Sequence, residues 1–371
     1  MIYLIGIIIS AFLSVLLLTK KDKSPADRIL FMWLCVTSLH LTVFAFKSLG
    51  RHSQIPYLLG FEILMPLLHG PFLYLYIAAF SAKPIKAKYA LLHVIPFLLS
   101  IWFISPFLLL NIHEKMQVYQ NDGKPFQRHR DIIFFASLLS GTLYCSLSLH
   151  LLYKHGKNIK NNFSYTEKID LRWLFNLTVG LLCIWVIAAF AEDQYTFAAI
   201  VVYVLFIGYF GIKQVGIFTD QKPTAQTLAN PVSPAPVEYV TGNAKYEKSS
   251  LSQKTVDQIH RDLEHLMQTE RLYRMPGLSL PQLAKQLDVH PNSLSQVINR
   301  KEKRNFFDYV NSLRVAEFKN RLASGDIKTY TLLSLAHDCG FNSKTSFNRN
   351  FKSITGLSPS EYLEEFLKKQ V

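Results

Sequence analysis

Apolar residues run almost unbroken through the first half of the chain and switch to a helical period in the second. Seven apolar runs, each close to the length of about 20 residues needed to cross a bilayer, cover 1–19, 29–46, 57–80, 89–110, 132–153, 174–191 and 195–212. From 219 to 245 the pattern dissolves into a stretch rich in Pro, Thr, Ala and Asn, with Pro223, Pro231, Pro234 and Pro236. Such a tether has a root-mean-square reach of roughly 30 Å. An amphipathic helix follows over 251–271, with Ile259, Leu263, Leu266 and Met267 on one stripe. The pattern predicts an all-α protein: a seven-helix transmembrane bundle over 1–215, a flexible linker over 216–248, and an all-helical domain over 249–371.

Within this C-terminal domain the same plan occurs twice. In 280–300 a short helix turns Leu283, Ala284 and Leu287 inward, and Asp288-Val289-His290 makes a turn. Pro291 then suits a first helical position. The second helix buries Leu294, Val297 and Ile298, and offers Asn292, Ser295, Gln296 and Asn299 outward. In 332–352 the inward small residue is Ala336, the turn is at Gly340, and Asn342 is placed to cap the next helix. Phe347 and Phe351, four residues apart, form its buried stripe, leaving Ser343, Lys344, Thr345, Asn348, Arg349 and Lys352 available to a partner. A single long helix, 306–322, joins the two pairs. Its expected core is Phe307, Val310, Leu313, Val315, Phe318 and Leu322, with Arg314, Lys319 and Arg321 on the surface. Two helix-turn-helix subdomains are therefore expected, with their core over 280–366.

The formal net charge of +14 is shared by both halves. Residues 1–220 carry 19 Lys and Arg against 11 Asp and Glu, and 246–371 carry 19 against 14, so one excess needs two explanations. In the first half it sorts by loop. With the N-terminus outside, the inner loops hold Lys20, Lys21, Lys23, Arg28, Lys83, Lys86, Lys88, Lys154, Lys157, Lys160, Lys168 and Arg172. The outer loops hold Lys47, Arg51, Lys115, Lys124, Arg128 and Arg130. The inner excess orients the bundle and places the last domain in the cytoplasm. There its basic excess would meet phosphates. The first run lacks the basic start of a signal peptide and ends in Lys20-Lys21, like an anchor. Cys35, Cys145, Cys183 and Cys339 have no metal-ligand spacing and are expected as buried, reduced thiols.

Ionisable groups inside apolar runs are costly and mark candidate function. Glu62, Pro66 and His69 stand at i, i+4 and i+7 on one face of the third run, where Pro66 and Pro71 would bend the helix and free backbone carbonyls, and His40 and His93 lie in neighbouring runs. His40, Glu62 and His69 are the candidate sensing residues; the plainer account makes them hydrogen bonds that fix packing. An alternative is an intramembrane enzyme or transporter with a fused regulatory DNA-binding domain. It has little support, because no nucleophile elbow, His-Glu-Xaa-Xaa-His motif or phosphate-cradling loop is present. No catalytic residue, cofactor or metal is expected.

Gly340, Phe341, Phe347, Phe351, Gly356, Leu357, Pro359 and Tyr362 together resemble the signature of the AraC/XylS family of bacterial transcription regulators. The first half is more loosely similar to the seven-span sensor-like regions found on some bacterial regulators. The resemblance implies two recognition helices in successive major grooves of double-stranded promoter DNA. By position, Asn292, Ser295 and Gln296 would form the first reading set, and Lys344, Thr345, Asn348 and Arg349 the second. Ser343, Lys352, Lys301, Lys303 and Arg304 would position phosphates. A multi-pass protein of the inner membrane is implied, coupling an unknown signal ligand to promoter binding. RNA polymerase and a second copy of the chain are further implied partners, and release of the cytoplasmic half by proteolysis is a rival output.

Overall fold

A computed structural model describes residues 2–80, 85, 87–166, 171–214 and 251–368. The described residues are helical apart from turns and one isolated antiparallel bridge. They divide into two compact units, Met1–Lys154 with Leu171–Thr224, and His155–Asp170 with Ala225–Val371. The linker expected over 216–248 lies outside the described residues, as do Lys83, Lys86 and Lys168.

The first unit holds α1 (Ile2–Thr19), α2 (Pro25–Ser48), α3 (Pro66–Ala79), α4 (Ile95–Phe103), α5 (Ile112–Gln120), most of α6 (Gln127–Asn162), α7 (Arg172–Phe190) and α8 (Asp193–Gln214). The turn from α1 to α2 is tied by Asp27. Its carboxylate accepts from the backbone N–H of Ser24 at 2.8 Å and from Lys20 Nζ at 2.9 Å, while Ser24 Oγ caps the Asp27 N–H. Leu30, Trp33, Leu34 and Leu41 of α2 then bury against Leu13 and Leu17 of α1 and Val201 and Val204 of α8. The outward faces are apolar as well: on α1 Ile5, Ile8, Phe12 and Val15 are exposed. Helices apolar on both sides suit lipid rather than water.

Among the described residues, five helical segments are long and apolar enough to cross a membrane: α1, α2, Lys124–Asn162, α7 and Asp193–Phe210. The expected third span is broken. Its halves, Pro56–Leu64 and Pro66–Ala79, bend by 57°, and counting them as one span gives six. The prolines set the break, because Pro66 starts a new helix and denies the preceding turn its hydrogen-bond donor. Glu62 and His69 therefore do not share a continuous helical face. The expected fourth run is a shorter apolar helix, Lys88–Phe103, followed by a separate turn at Ser105–Leu108 around Pro106.

The second unit holds α9 (Gln253–Thr269), α10 (Leu280–Gln286), α11 (Pro291–Lys301), α12 (Phe306–Ala323), α13 (Leu332–Asp338), α14 (Lys344–Thr355) and α15 (Pro359–Lys368). It has two cores that share one helix. Phe306, Tyr309 and Val310 of α12 pack with Val256, Leu263, Leu283, Ala284, Leu294, Val297 and Ile298. Val315, Phe318 and Leu322 of the same helix pack with Leu335, Ala336, Phe341, Phe347 and Phe351. Arg314, expected on the surface, sits between these halves and is 1% exposed. That misreading has a physical cause: a guanidinium is buried where every N–H finds an acceptor, which periodicity cannot reveal. The cysteines also depart from expectation. Cys145 and Cys339 are buried, but Cys35 and Cys183 are exposed on the apolar outer faces of α2 and α7.

Glu317 of α12 fastens the loop before α10. Its carboxylate accepts from Tyr273 Oη at 3.2 Å, from Arg271 Nη1 at 3.5 Å and from Arg274 Nη2. Burial opposes its ionisation, but the hydrogen bond and charge of Arg274, with Tyr273 and Arg271, outweigh it and hold the pKa below the ordinary 4.5. The carboxylate therefore stabilises the fold fully above pH 4.5, and less as pH falls through its lowered folded value. Glu317→Gln is expected to cost about 1–2 kcal/mol at neutral pH. Hydrogen exchange of this unit should show the gap between variant and parent closing in acid.

Candidate nucleic-acid interface and bundle cavity

The outward faces of α11 and α14 carry the expected reading residues. Ser343 begins α14: its Oγ accepts from the Ser346 N–H at 3.1 Å, so Ser343 rather than Asn342 is the cap. Asn342 instead donates to Pro276 O at 3.1 Å. Gly356, at φ +82°, closes the helix in the left-handed conformation. Lys344, Thr345, Asn348, Arg349 and Lys352 are exposed around Phe347 and Phe351, which are buried against Phe318. Ser346 and Asn350 face inward and bond to each other, Asn350 Nδ2 donating to Ser346 O at 2.9 Å. Arg349 is already engaged, since Nη2 donates to Thr166 Oγ1 at 2.8 Å.

On α11, the His290 ring caps the helix by accepting from the Asn292 N–H at 3.2 Å. Asn292 is exposed, whereas Ser295 and Gln296 are half-buried. Asn299 spends its amide on Ser295 O at 2.8 Å. Lys303 and Arg304 are exposed beyond the helix end, and Lys301 pairs with Asp257. Sequence reasoning put Arg314 on the surface and did not single out Ser164 or Thr166. Those two belong to a stretch between two apolar runs, where nothing in their residue types marks them as members of the second unit.

Among the described residues, one group has the makings of a metal site: His260, Glu264 and Glu302. His260 Nε2 lies 2.6 Å from Glu302 and Nδ1 3.5 Å from Glu264, so the ring serves as a bridge between two carboxylates that join α9 to the end of α11.

Inside the first unit is a cavity of about 350 Å³, at the small end of ligand-sized pockets. Trp33, His40, Glu62, His69, Trp185 and Phe197 are among its lining residues. The candidate sensing residues thus meet at one cavity despite the break between Glu62 and His69. Trp33 Nε1 donates to His69 Nδ1 at 3.0 Å, which leaves the His69 proton on Nε2, 3.2 Å from His40 Nδ1. Glu62 accepts from the Gly60 N–H at 2.8 Å and from Tyr119 Oη. Trp185 Nε1 is buried with no hydrogen-bond partner among the described residues. Lys47, Arg130, Asp131 and Asp193 also line the cavity, at the C-terminal end of α2 and the N-terminal ends of α6 and α8.

Residues 283–365 match a family described as a helix-turn-helix domain. An uncharacterised HTH-type transcriptional regulator of Bacillus subtilis, YtdP, is 24% identical over 170 residues, which is 44% of this chain and 20% of that protein. Another from Escherichia coli, YijO, is 32% identical over 90 residues, 24% of this chain and 31% of that protein. The chain thus spans less than a third of the length of either relative. No solved structure matches. The matched domain and these relatives support a DNA-binding helix-turn-helix domain within the second unit.

Proposed function

We propose that the chain is a membrane-embedded regulator that couples a signal to sequence-specific promoter binding, with two helix-turn-helix subdomains as its readers. The observation that carries this is the exposed polar face of α14, Lys344, Thr345, Asn348 and Arg349, set on a buried Phe347–Phe351 stripe inside the matched domain. Asn suits the adenine edge, and Arg or Lys suits guanine. Asn292, Ser295 and Gln296 form the first, uncharged reader on α11, and Ser343, Lys352, Lys303 and Arg304 position phosphates. Lys301, paired with Asp257, contributes less than its sequence position implied. Binding as a homodimer and contact with RNA polymerase come with this reading as expectations.

The domain limits expected from sequence belong to the proposal with a single change: 155–170 goes with the DNA-binding unit. That grouping supports the inner placement of this segment and a cytoplasmic second unit, with the N-terminus outside. The charged lining residues Lys47, Arg130, Asp131 and Asp193 then fall at the outer end, and the signal enters there. The cavity favours a largely apolar ligand carrying one hydrogen-bond acceptor to meet Trp185 Nε1. Sensing fits this cavity better than catalysis, because Trp33 fixes His69, and Gly60 and Tyr119 occupy the Glu62 carboxylate.

The test is selection of duplex DNA from a random pool by the full chain in lipid nanodiscs, followed by footprinting. Failure to enrich any sequence at low salt sinks the reading. Arg349→Ala or Asn348→Ala is expected to cost about 1–3 kcal/mol on the selected site and relax preference at a single base pair. Lys352→Ala should weaken all sequences alike and flatten the salt dependence by about one charge. An unchanged preference in the first two variants would remove those residues from the reader.

A further inference from the structure

Arg314 is buried and uses its whole set of five N–H donors. Nε donates to Tyr273 O at 2.7 Å; Nη1 to Ser164 O at 3.1 Å and Asn311 Oδ1 at 3.3 Å; Nη2 to Met275 O at 2.8 Å and Ser164 Oγ at 3.0 Å. Two of the five therefore end on one residue of a distant stretch of chain. Ser164 is held from two other sides as well. Its N–H and Oγ both reach Leu278 O, at 3.1 and 2.7 Å, and its carbonyl accepts from Asn311 Nδ2 at 3.0 Å. Phe163 pairs with Ser279 in the isolated bridge, directly before α10. Tyr165 and Thr166 are buried too, and Thr166 receives Arg349.

The strand-like stretch 163–166 thus touches three regions of the DNA-binding unit: the entry to the first helix pair at Leu278 and Ser279, the joining helix at Asn311 and Arg314, and the reading face of the second pair at Arg349. We propose that 163–166 is a built-in clamp, whose docking withdraws Arg349 from DNA and fixes the two helix pairs in a spacing that does not read. The proposal rests on the DNA-reading role of α14 given above. An Arg349 guanidinium aimed at Thr166 is not presenting its fork to a guanine edge. Docking at Leu278 and Arg314 also ties the two cores to a common strut, which limits how they adjust to successive grooves.

The chain order supplies the route by which a signal would reach the clamp. It lies between Asn162, the last residue of α6, and Arg172, the first of α7, so few residues separate it from either helix. Both helices also contribute to the cavity lining, through Arg130, Phe134 and Ser137 of α6 and Trp185 and Ala188 of α7. A change of cavity occupancy that shifts one helix along the other pulls on 163–166 without passing through the long stretch after 214. Polar contacts suit a switch, because water can replace Ser164 on Arg314 at modest cost, whereas an apolar plug would leave dry surface exposed.

The test uses full-length protein in lipid nanodiscs, with Cys35 and Cys183 replaced by alanine, and a Phe163→Cys/Ser279→Cys pair. Residues facing one another across an antiparallel bridge have the Cα separation a disulfide needs. Duplex selected from a random pool by the reduced protein is the probe. Oxidation is expected to weaken binding at least tenfold, and reduction to restore it in the same sample. A second variant, Ser164→Ala/Thr166→Val, is expected to bind the same duplex several-fold more tightly than the parent. Two results overturn the clamp: a fully cross-linked protein that binds as well as its reduced form, or a cysteine pair that does not cross-link under oxidation. If the reduced protein and the loosened variant select no duplex at all, it is the DNA-reading role that fails, and the clamp falls with it.

Discussion

Replacing Arg314 with alanine is expected to lower the stability of the second unit by about 3–5 kcal/mol, since several buried acceptors are left unpaired at about 1–3 kcal/mol each. The cost comes mainly from what is left behind. Tyr273 O, Met275 O and Ser164 O lose a charged donor inside a region where Arg314 itself is 1% exposed, and Asn311 loses a partner. Arg314→Lys should recover little of this. An ammonium carries three donors on a single nitrogen and cannot reach four residues spread around a planar fork. The measurement must be local, because Trp33, Trp102, Trp173 and Trp185 all lie outside the second unit and their fluorescence does not report on it. Hydrogen exchange of the full chain, followed on peptides from α10 to α14, reads it directly. Loss of protection in both helix pairs is expected, since α12 serves both cores. A loss confined to one pair, or below about 1 kcal/mol, would show that Arg314 does not hold the two cores together.

Much of the second unit was legible in the sequence because its signals are local. Leu283, Ala284, Leu294, Val297 and Ile298 recur with the helical period, and all are buried as expected. Phe347 and Phe351 are buried for the same reason, and the polar positions Lys344, Thr345, Asn348 and Arg349 around them are exposed. The apolar runs of the first unit were equally plain, but composition reports length and hydropathy without continuity. A bend was expected at Pro66, but the chain breaks there into two helical pieces, and Pro106 interrupts a run that looked whole. The least legible features are those made by distant partners. Arg314 looked like any surface arginine in a helix, because its burial depends on carbonyls at 273 and 275 and on Ser164, which lies 150 residues away. Thr166 and Trp185 carry no motif at all; one matters through Arg349, the other through an indole N–H with no partner among the described residues. Candidate reading residues were therefore found by pattern, and the groups that restrain them only by structure.

Gly340→Ala is expected to cost about 3 kcal/mol, where strain in a left-handed backbone alone runs from about 1 to 3. The turn conformation does not by itself demand glycine. The matching turn of the first helix pair places Asp288 at φ +50°, and aspartate tolerates that region. What distinguishes Gly340, at φ +96°, is its neighbour: a Cβ there would lie 2.6 Å from Tyr273 O and 2.8 Å from Arg274 O. Both contacts are backbone, so neither can swing aside as a side-chain tip would. Relief requires moving the 273–274 segment, whose Tyr273 carbonyl accepts from Arg314 Nε and whose Arg274 side chain holds Glu317. The damage should therefore spread to both cores rather than stay in one turn. Asp288→Gly is the control, expected within about 1 kcal/mol of the parent because it changes only backbone freedom. Since Gly340 and Arg314 act on the same segment, Gly340→Ala and Arg314→Ala together should cost less than the sum of the two, by more than about 0.5 kcal/mol. Equal losses at Gly340 and Asp288, or strict additivity with Arg314, would show that the close approach to Tyr273 and Arg274 is not what requires glycine at this turn.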